Sequence, residues 1–286
     1  MKGAVNRSVL MGGIILGVIL LIGLSAPFLG TRDPSQIDPI SRNKRPGAVR
    51  VFTGADGRQT STTYWMGTDS LGRDVYSRVL YGARVSLLVG VSVALISVAV
   101  GLVIGLLAGY LRWLDGFVMR IMDGLMAVPA ILLAIALVSL SAAGLRAVIV
   151  AIVIPEVPRV VRLVRSVVLS IREEPYVEAA IALGARTVPL IIRHVLPNAL
   201  APLIVQATFV CASAIVIEAI LSFLGVGIPP QTPTWGNIMA EGRVLFRLFP
   251  HNIFFPGIFL AATVLAVNIM GDGLRDSLDP RLRKHL

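Results

Sequence analysis

Charge is scarce in this sequence. Only 15% of the 286 residues are charged while 56% are hydrophobic, and the mean hydropathy is +0.83. A soluble domain carries about 25% charged residues. An apolar excess this large has no single aqueous core to fill, so a bilayer must solvate part of the surface. Cysteine is scarcer still. The one present, Cys211, sits in an apolar run. It excludes an intrachain disulfide and a thiolate metal cage, and reads as a small packing residue. Three histidines, His194, His251 and His285, are too few and too scattered for a metal or acid–base centre. The patterns Gly-x-x-x-x-Gly-Lys-Ser/Thr, His-Glu-x-x-His and Gly-x-Ser-x-Gly do not occur. The chain therefore lacks that phosphate loop for ATP, and lacks the zinc-protease and serine-hydrolase signatures. Internal repeats and low-complexity tracts are missing as well.

Acidic residues are outnumbered, 16 against 26 Lys and Arg, for a formal net charge of +10. In a soluble protein that balance would raise nucleic acid as a partner. In a membrane protein Lys and Arg collect in cytoplasmic loops and fix orientation, so nucleic acid is not expected as a partner here.

Long apolar runs are what the sequence has in abundance. They predict an all-α integral membrane protein with six spans: Val9–Leu29, Val85–Leu111, Phe117–Leu140, Leu145 to about Leu169, Leu200–Leu224 and Ile253–Ile269. The first follows a short basic start, Met1 to Arg7, and is too long for the apolar region of a signal peptide. It is read as an uncleaved span. The short loops favour cytoplasmic N- and C-termini. Arg112, Arg120, the run Arg159, Arg162, Arg165, Arg172, Arg186 and Arg193, and the tail Arg275, Arg281, Arg283 and Lys284 then fall inside, with Lys2 and Arg7. The expected organisation is a first span over 1–30, an outside element over 31–84, a membrane core over 85–275 and a tail over 276–286. The 31–84 stretch is polar and rich in turn residues, such as Thr53-Gly54-Ala55-Asp56-Gly57. Its length favours a small folded element.

The most informative segment, 173–197, lies between the fourth and fifth spans. Pro175 suits a first helical turn, with Glu173, Glu174 and Glu178 complementing the helix dipole. Gly184 suits a C′ position with positive φ. Thr187 is a plausible N-cap for a second short helix that stops before Pro197. Tyr176, Ala179, Ala180 and Leu183 fall on one helical face, and the small Ala residues let another backbone approach. The physical reading is a cytoplasmic docking element that fits a partner's groove. The alternative is an amphipathic helix lying on membrane lipid.

This segment resembles the EAA loop of ABC importer permeases: Glu178-Ala179-Ala180, then Gly184, then Leu196-Pro197, at the family spacing. His194 stands where the general pattern has Ile, but His194-Val195-Leu196-Pro197-Asn198 is the form typical of the dipeptide, oligopeptide and nickel branch. The likeness extends along the chain. Gly67-Thr68-Asp69-Ser70-Leu71-Gly72-Arg73-Asp74 with Ser77-Arg78 and Tyr81-Gly82-Ala83-Arg84 is similar to the stretch before the second span of that branch's C-type permeases. So are Ser222 to Gly227 with Thr234-Trp235-Gly236, and the last span and tail, Phe255-Pro256-Gly257, Asn268, Gly271 to Asp276 and Leu278 to Arg281.

The resemblance implies a type I importer permease (MetI-like) fold in the inner membrane of a prokaryote. It implies a homologous B-type permease as partner, two ATPase subunits that bind the ATP and Mg, and an extracytoplasmic solute-binding protein. This chain would hold no cofactor and perform no covalent chemistry. It would form half of a pathway for peptides, working by alternating access. Relatives with the same motifs carry nickel chelates or glycans. The 173–197 helices would couple to the ATPase. A secondary transporter or channel is the rival class, and would need coupling-ion residues at mid-membrane. An intramembrane enzyme lacks a recognisable nucleophile–base set.

Three further features carry two readings each. Gly101, Gly105 and Gly109 form a small-residue ridge on the second span, for packing within the chain or against the partner permease. Glu156, between Pro155 and Pro158, either lines a substrate path or pairs with Arg159. A carboxylate at bilayer depth costs roughly 2.5–3.5 kcal/mol on insertion scales, so it needs one or the other. Glu218 is the better candidate to line the translocation cavity. Asp123 is expected to pair with Arg120 or Arg112.

Overall fold

The structure of the chain, a computed structural model, describes residues 7–53, 59–141 and 144–278. Lys2, the turn-type residues at 54–57 and the tail from Asp279 onward lie outside the described residues.

Helix α1 (Arg7–Ser25) continues through a 3-10 turn to Phe28, where the first span was expected. The following segment folds. Strand β1 (Ala48–Thr53) pairs antiparallel with β2 (Gln59–Tyr64), placing Ala48 opposite Tyr64 and Thr53 opposite Gln59. This hairpin is a small β element within the 31–84 stretch of a chain that is otherwise mostly helical. Its Val and Thr residues are β-branched and suit a pleated surface. A lone two-stranded hairpin is marginal in water; this one is braced from one side. Tyr64 is 2% exposed and its hydroxyl donates to Ser41 Oγ at 3.1 Å, while Arg50 pairs with Asp38.

Helix α2 (Val75–Tyr110) starts at Val75 rather than Val85. Asp74 caps it, Oδ2 accepting the Ser77 N–H at 3.0 Å. Its 36 residues make a rod of about 54 Å, longer than the ~30 Å hydrocarbon layer. The head carrying Arg78 and Arg84 thus has room to stand clear of lipid.

The third expected span is not straight. Helices α3 (Arg112–Ala127) and α4 (Ala130–Ser139) meet at a bend of 89°. Pro129 is the cause: its ring forces the preceding Val128 into extended backbone, φ −95° and ψ 132°. Helix α5 (Leu145–Arg172) follows, unbroken across Pro155 and Pro158. Then come α6 (Pro175–Ala182) and α7 (Thr187–Leu190), a π-helical turn over Ile191–Val195, and α8 (Leu196–Phe223). Thr187 is itself the first helical residue of α7, rather than the residue that caps it. Nor does the second short helix stop before Pro197. That proline lies in the first turn of α8, where its missing N–H costs little, and 188–223 runs on as one apolar span. Helices α9 (Trp235–Gly242) and α10 (His251–Leu278) complete the chain.

Among the described residues four segments are long and apolar enough to cross a membrane: 7–28, 75–110, 188–223 and 251–278; the α3–α4 pair, bent by 89°, adds a fifth when its two arms are counted as one broken span. The remaining expected span, α5, is 28 residues long but carries Glu156, Arg159, Arg162 and Arg165 in succession. It is nevertheless the buried centre of the bundle, with Ile152, Val160, Val161, Val164 and Val168 all at 0% exposure.

The glycine ridge explains how α5 sits so deep. A Cβ on Gly101, Gly105 or Gly109 would stand 2.5, 2.6 or 2.7 Å from the Cβ of Val160, Val164 or Val168. Every fourth residue of α2 therefore receives the matching valine of α5. The ridge packs within the chain.

Candidate functional site

At the Gly184 end of the bundle two short helices meet in a tight turn. Pro175 opens α6, and the helix closes on Gly184 in the left-handed region at φ +85°. Gly184 N–H donates to Ile181 O at 2.9 Å and Ala185 N–H donates to Ala180 O at 3.0 Å, the paired bonds of a Schellman turn. The expected C′ role of Gly184 is thus seen directly. The turn is anchored by Val177, Leu190 and Val195, which are buried. Around that anchor it presents apolar side chains outward. Leu183 is 89% exposed, and Tyr176, Ile181, Val188 and Ile192 are exposed too. Glu178, Ala179 and Pro197 are also exposed, while Ala180 and Leu196 are half-buried. His194, the departure from the general pattern, has a job here. Its ring lies 5.8 Å from that of Tyr176 and bridges the two arms of the turn. An exposed apolar knob of this kind offers a fitted contact.

The basic run on α5 is not a free docking surface. Arg162 pairs with Asp123 at 2.5 Å, and Arg165 pairs with Asp115 at 2.5 Å through Nε and 2.7 Å through Nη2. Asp123 therefore takes its partner from α5, not from Arg120 or Arg112, because the bend at Pro129 lays α3 across the charged half of α5. Arg172 donates to the last carbonyls of α2, Gly109 O at 3.4 Å and Tyr110 O at 3.3 Å. Glu156 is fully buried, 3.4 Å from Arg159 and accepting from Ser213 Oγ at 2.8 Å. The pairing with Arg159 is the arrangement present.

At the opposite, hairpin end, Glu218 is enclosed by protein, with 0% exposure. Its carboxylate accepts from Ser222 Oγ at 2.8 Å and, more weakly, Ser86 Oγ at 3.5 Å. It is a caged carboxylate and faces no open cavity. Nearby lies a cluster that sequence reasoning did not assemble. Asp69 accepts from Arg73 Nε at 2.7 Å, and Arg73 Nη2 pairs closely with Glu241. Arg78, with 0% exposure, stands 3.4 Å from Glu241 and 3.8 Å from Asp69. Burial pushes the Glu241 carboxyl above the usual range, against the pull of Arg78 and Arg73. Three of these residues belong to the Gly67–Asp74 motif and its sequel. The fourth sits on a distant helix that nothing in the sequence linked to it.

A cleft of about 580 Å³ opens where α8 leaves the Gly184 turn, lined by Pro197, Gln206, Phe209 and Arg275 among others. Among the described residues no group of three His, Cys, Asp or Glu is placed to hold a metal.

Residues 101–284 match the family described as binding-protein-dependent transport system inner membrane component. The chain is 51% identical over 276 residues to the "Probable peptide ABC transporter permease protein y4tQ" of Sinorhizobium fredii, covering 96% of this chain and 90% of that protein. It is 40% identical over 279 residues to the "Dipeptide transport system permease protein DppC" of Alkalihalophilus pseudofirmus, covering 97% and 87%. Among solved structures, a chain of the MetNI methionine ABC transporter in inward-facing conformations aligns with a TM-score of 0.55 at 21% identity. That match covers 71% of this chain and 96% of that one, and shows the fold.

Proposed function

The chain belongs to the family of inner membrane components of binding-protein-dependent transport systems, and from that premise we propose that it imports peptides, paired with a second, similar permease. It is a multi-pass permease subunit, and ATP hydrolysis belongs to a separate subunit of the transporter. Peptides are the cargo in the printed names of its relatives, which supports the same class here. The proposed site is the EAA-type loop over 173–197. Tyr176, Glu178, Ala179, Ala180, Gly184, Leu196 and Pro197 form or flank a knob that fits a cleft on the ATPase.

The single observation that carries this reading is the exposure of Leu183 beside the left-handed Gly184, on a turn whose roots are buried. An unpaired apolar tip on a stiff base is built for a partner. The same observation weighs against a self-sufficient secondary transporter, which has no use for it. In the proposed orientation both termini and the Gly184 end are cytoplasmic, and the hairpin end faces outward, where a solute-binding protein delivers its ligand. The ATP-bearing subunits hold ATP and Mg. When they close, α6 and α7 are displaced. Because α7, the π turn and α8 form one continuous rod, the displacement enters the membrane directly, and the cavity opens outward by alternating access.

The test is uptake into vesicles holding the full complex, with labelled peptide on the binding protein. Uptake should require ATP hydrolysis and should be lost in Glu178→Lys while the complex still assembles. Uptake that proceeds without the ATPase subunits would refute the assignment.

A further inference from the structure

Helix α9 is fastened at both ends by a carboxylate, Glu218 fully buried and Glu241 half-buried, and each fastening joins it to a different part of the molecule. At its start stands Glu218 of α8. The hydroxyls of Ser222, Ser86 and Thr234 surround that carboxylate, and Thr234 is the residue that caps α9. The approach is close. A Cβ on Gly236 would lie 2.6 Å from Ala219 O, so α8 and α9 touch backbone to backbone. At its other end α9 carries Glu241, which grips Arg73 and faces Arg78. Those two arginines belong to the outer loop and to the head of α2.

Neither fastening is an economical way to hold helices together. Replacing a buried ion pair by apolar residues of similar volume is often neutral or stabilising, and a caged carboxylate at 0% exposure has the same drawback. Each group is therefore better explained by what it positions than by what it stabilises. The outer network is also incomplete. Arg78 Nε and Nη1 are buried with no hydrogen-bond partner, while Arg73 holds both Asp69 and Glu241 closely. Arg78 already reaches Glu241, but at long range, with Nη2 3.5 Å from one carboxylate oxygen and 3.4 Å from the other. A small slide of α9 would exchange the close partner of Glu241 from Arg73 to Arg78, and contacts exchangeable in this way suit a switching interface.

We propose that Glu218 and Glu241 are the two joints that carry motion from the ATPase side to the outer face. Helix α8 moves α9 through the hydroxyl cage, and α9 moves the 69–78 block through its grip on Arg73 and Arg78. Both are positioning residues, remote from cargo. The proposal rests on the reading of the Gly184 turn as the ATPase contact, because α8 is the rod that rises from it.

The experiment uses the complete transporter in lipid vesicles, with ATPase activity measured with and without peptide-loaded binding protein. Glu218→Gln, Glu241→Gln and the double variant are compared. Each single variant is expected to assemble and to keep its basal ATPase rate, while stimulation by the binding protein falls by roughly 2- to 30-fold. The double variant should fall no further than the worse single, because both interrupt one path. Losses that multiply would mean two unrelated packing defects and would overturn the proposal, as would full stimulation in either single. Where a Gln variant does not assemble, Glu218→Asp or Glu241→Asp keeps the charge, and the same comparison is made with that variant. An unsubstituted complex that ignores its binding protein would count instead against the proposed function.

Discussion

Glu241 lies between two guanidinium groups and is partly withdrawn from water, its side chain 19% exposed, and burial and the arginines pull its proton in opposite directions. Burial wins, and the folded pKa stands above the ordinary carboxylate value. The sign follows from linkage. For this group alone, folding is most favoured below its unfolded pKa, and that contribution is lost as pH rises through the raised folded value. The ion pairs with Arg73 and Arg78 need the anion, so they weaken as pH falls into the same raised window. Stimulation of the ATPase by binding protein is predicted to decline on acidification before ordinary carboxylates titrate. Glu241→Gln should remove that limb of the pH profile, and a profile unchanged by the substitution would contradict it. Residues of this kind were only partly legible. Gly184 announced its positive φ because no other residue adopts that backbone freely. Glu156 and Arg159 sit one turn apart, so their pairing could be read from spacing alone. Glu241 could not be matched to Arg73, because a contact across 168 positions leaves no local pattern.

At the scale of elements, hydropathy locates helices but says little about where they bend or how far they extend. The 75–84 head of α2 is polar, so an apolar window misses it, although Asp74 followed by Ser77 is a visible cap. Pro129 was visible too. Whether a proline kinks a span or ends one depends on what receives the next helix, and here α3 turns aside to give Asp115 and Asp123 to the arginines of α5. The continuity of α7 into α8 was hidden by Pro197, which breaks a helix interior but suits a first turn. The close seam between α2 and α5 supplies a prediction. In Gly105→Ala the new methyl carbon would meet Val164 Cβ at 2.6 Å, a separation that forces the helices apart. Overpacking of this kind costs about 1–3 kcal/mol, to be read as a lower midpoint of thermal unfolding of the purified complex. Gly13→Ala, where nothing lies within 4 Å of the added carbon, is the control and should leave the midpoint in place.

For the whole molecule, the six expected spans resolve into four apolar helical spans, one bent pair and one charged helix at the centre. Composition misjudges that last helix because its arginines are answered from α3 and by Glu156 within α5, and pairing is invisible to a hydropathy sum. The fold was legible because the motifs occur in order along the chain. The mechanics were not, because they depend on which ends of which helices touch. The central claim is that the Gly184 turn is the place where a separate nucleotide-driven subunit pushes on this one. The direct measurement is crosslinking in the assembled transporter from Leu183→Cys, in a chain whose Cys211 is replaced by Ser. A crosslink to the ATPase subunit, with a yield that changes when ATP is trapped in the complex, is the predicted result; a crosslink that reaches only lipid, whatever the nucleotide, would contradict the account.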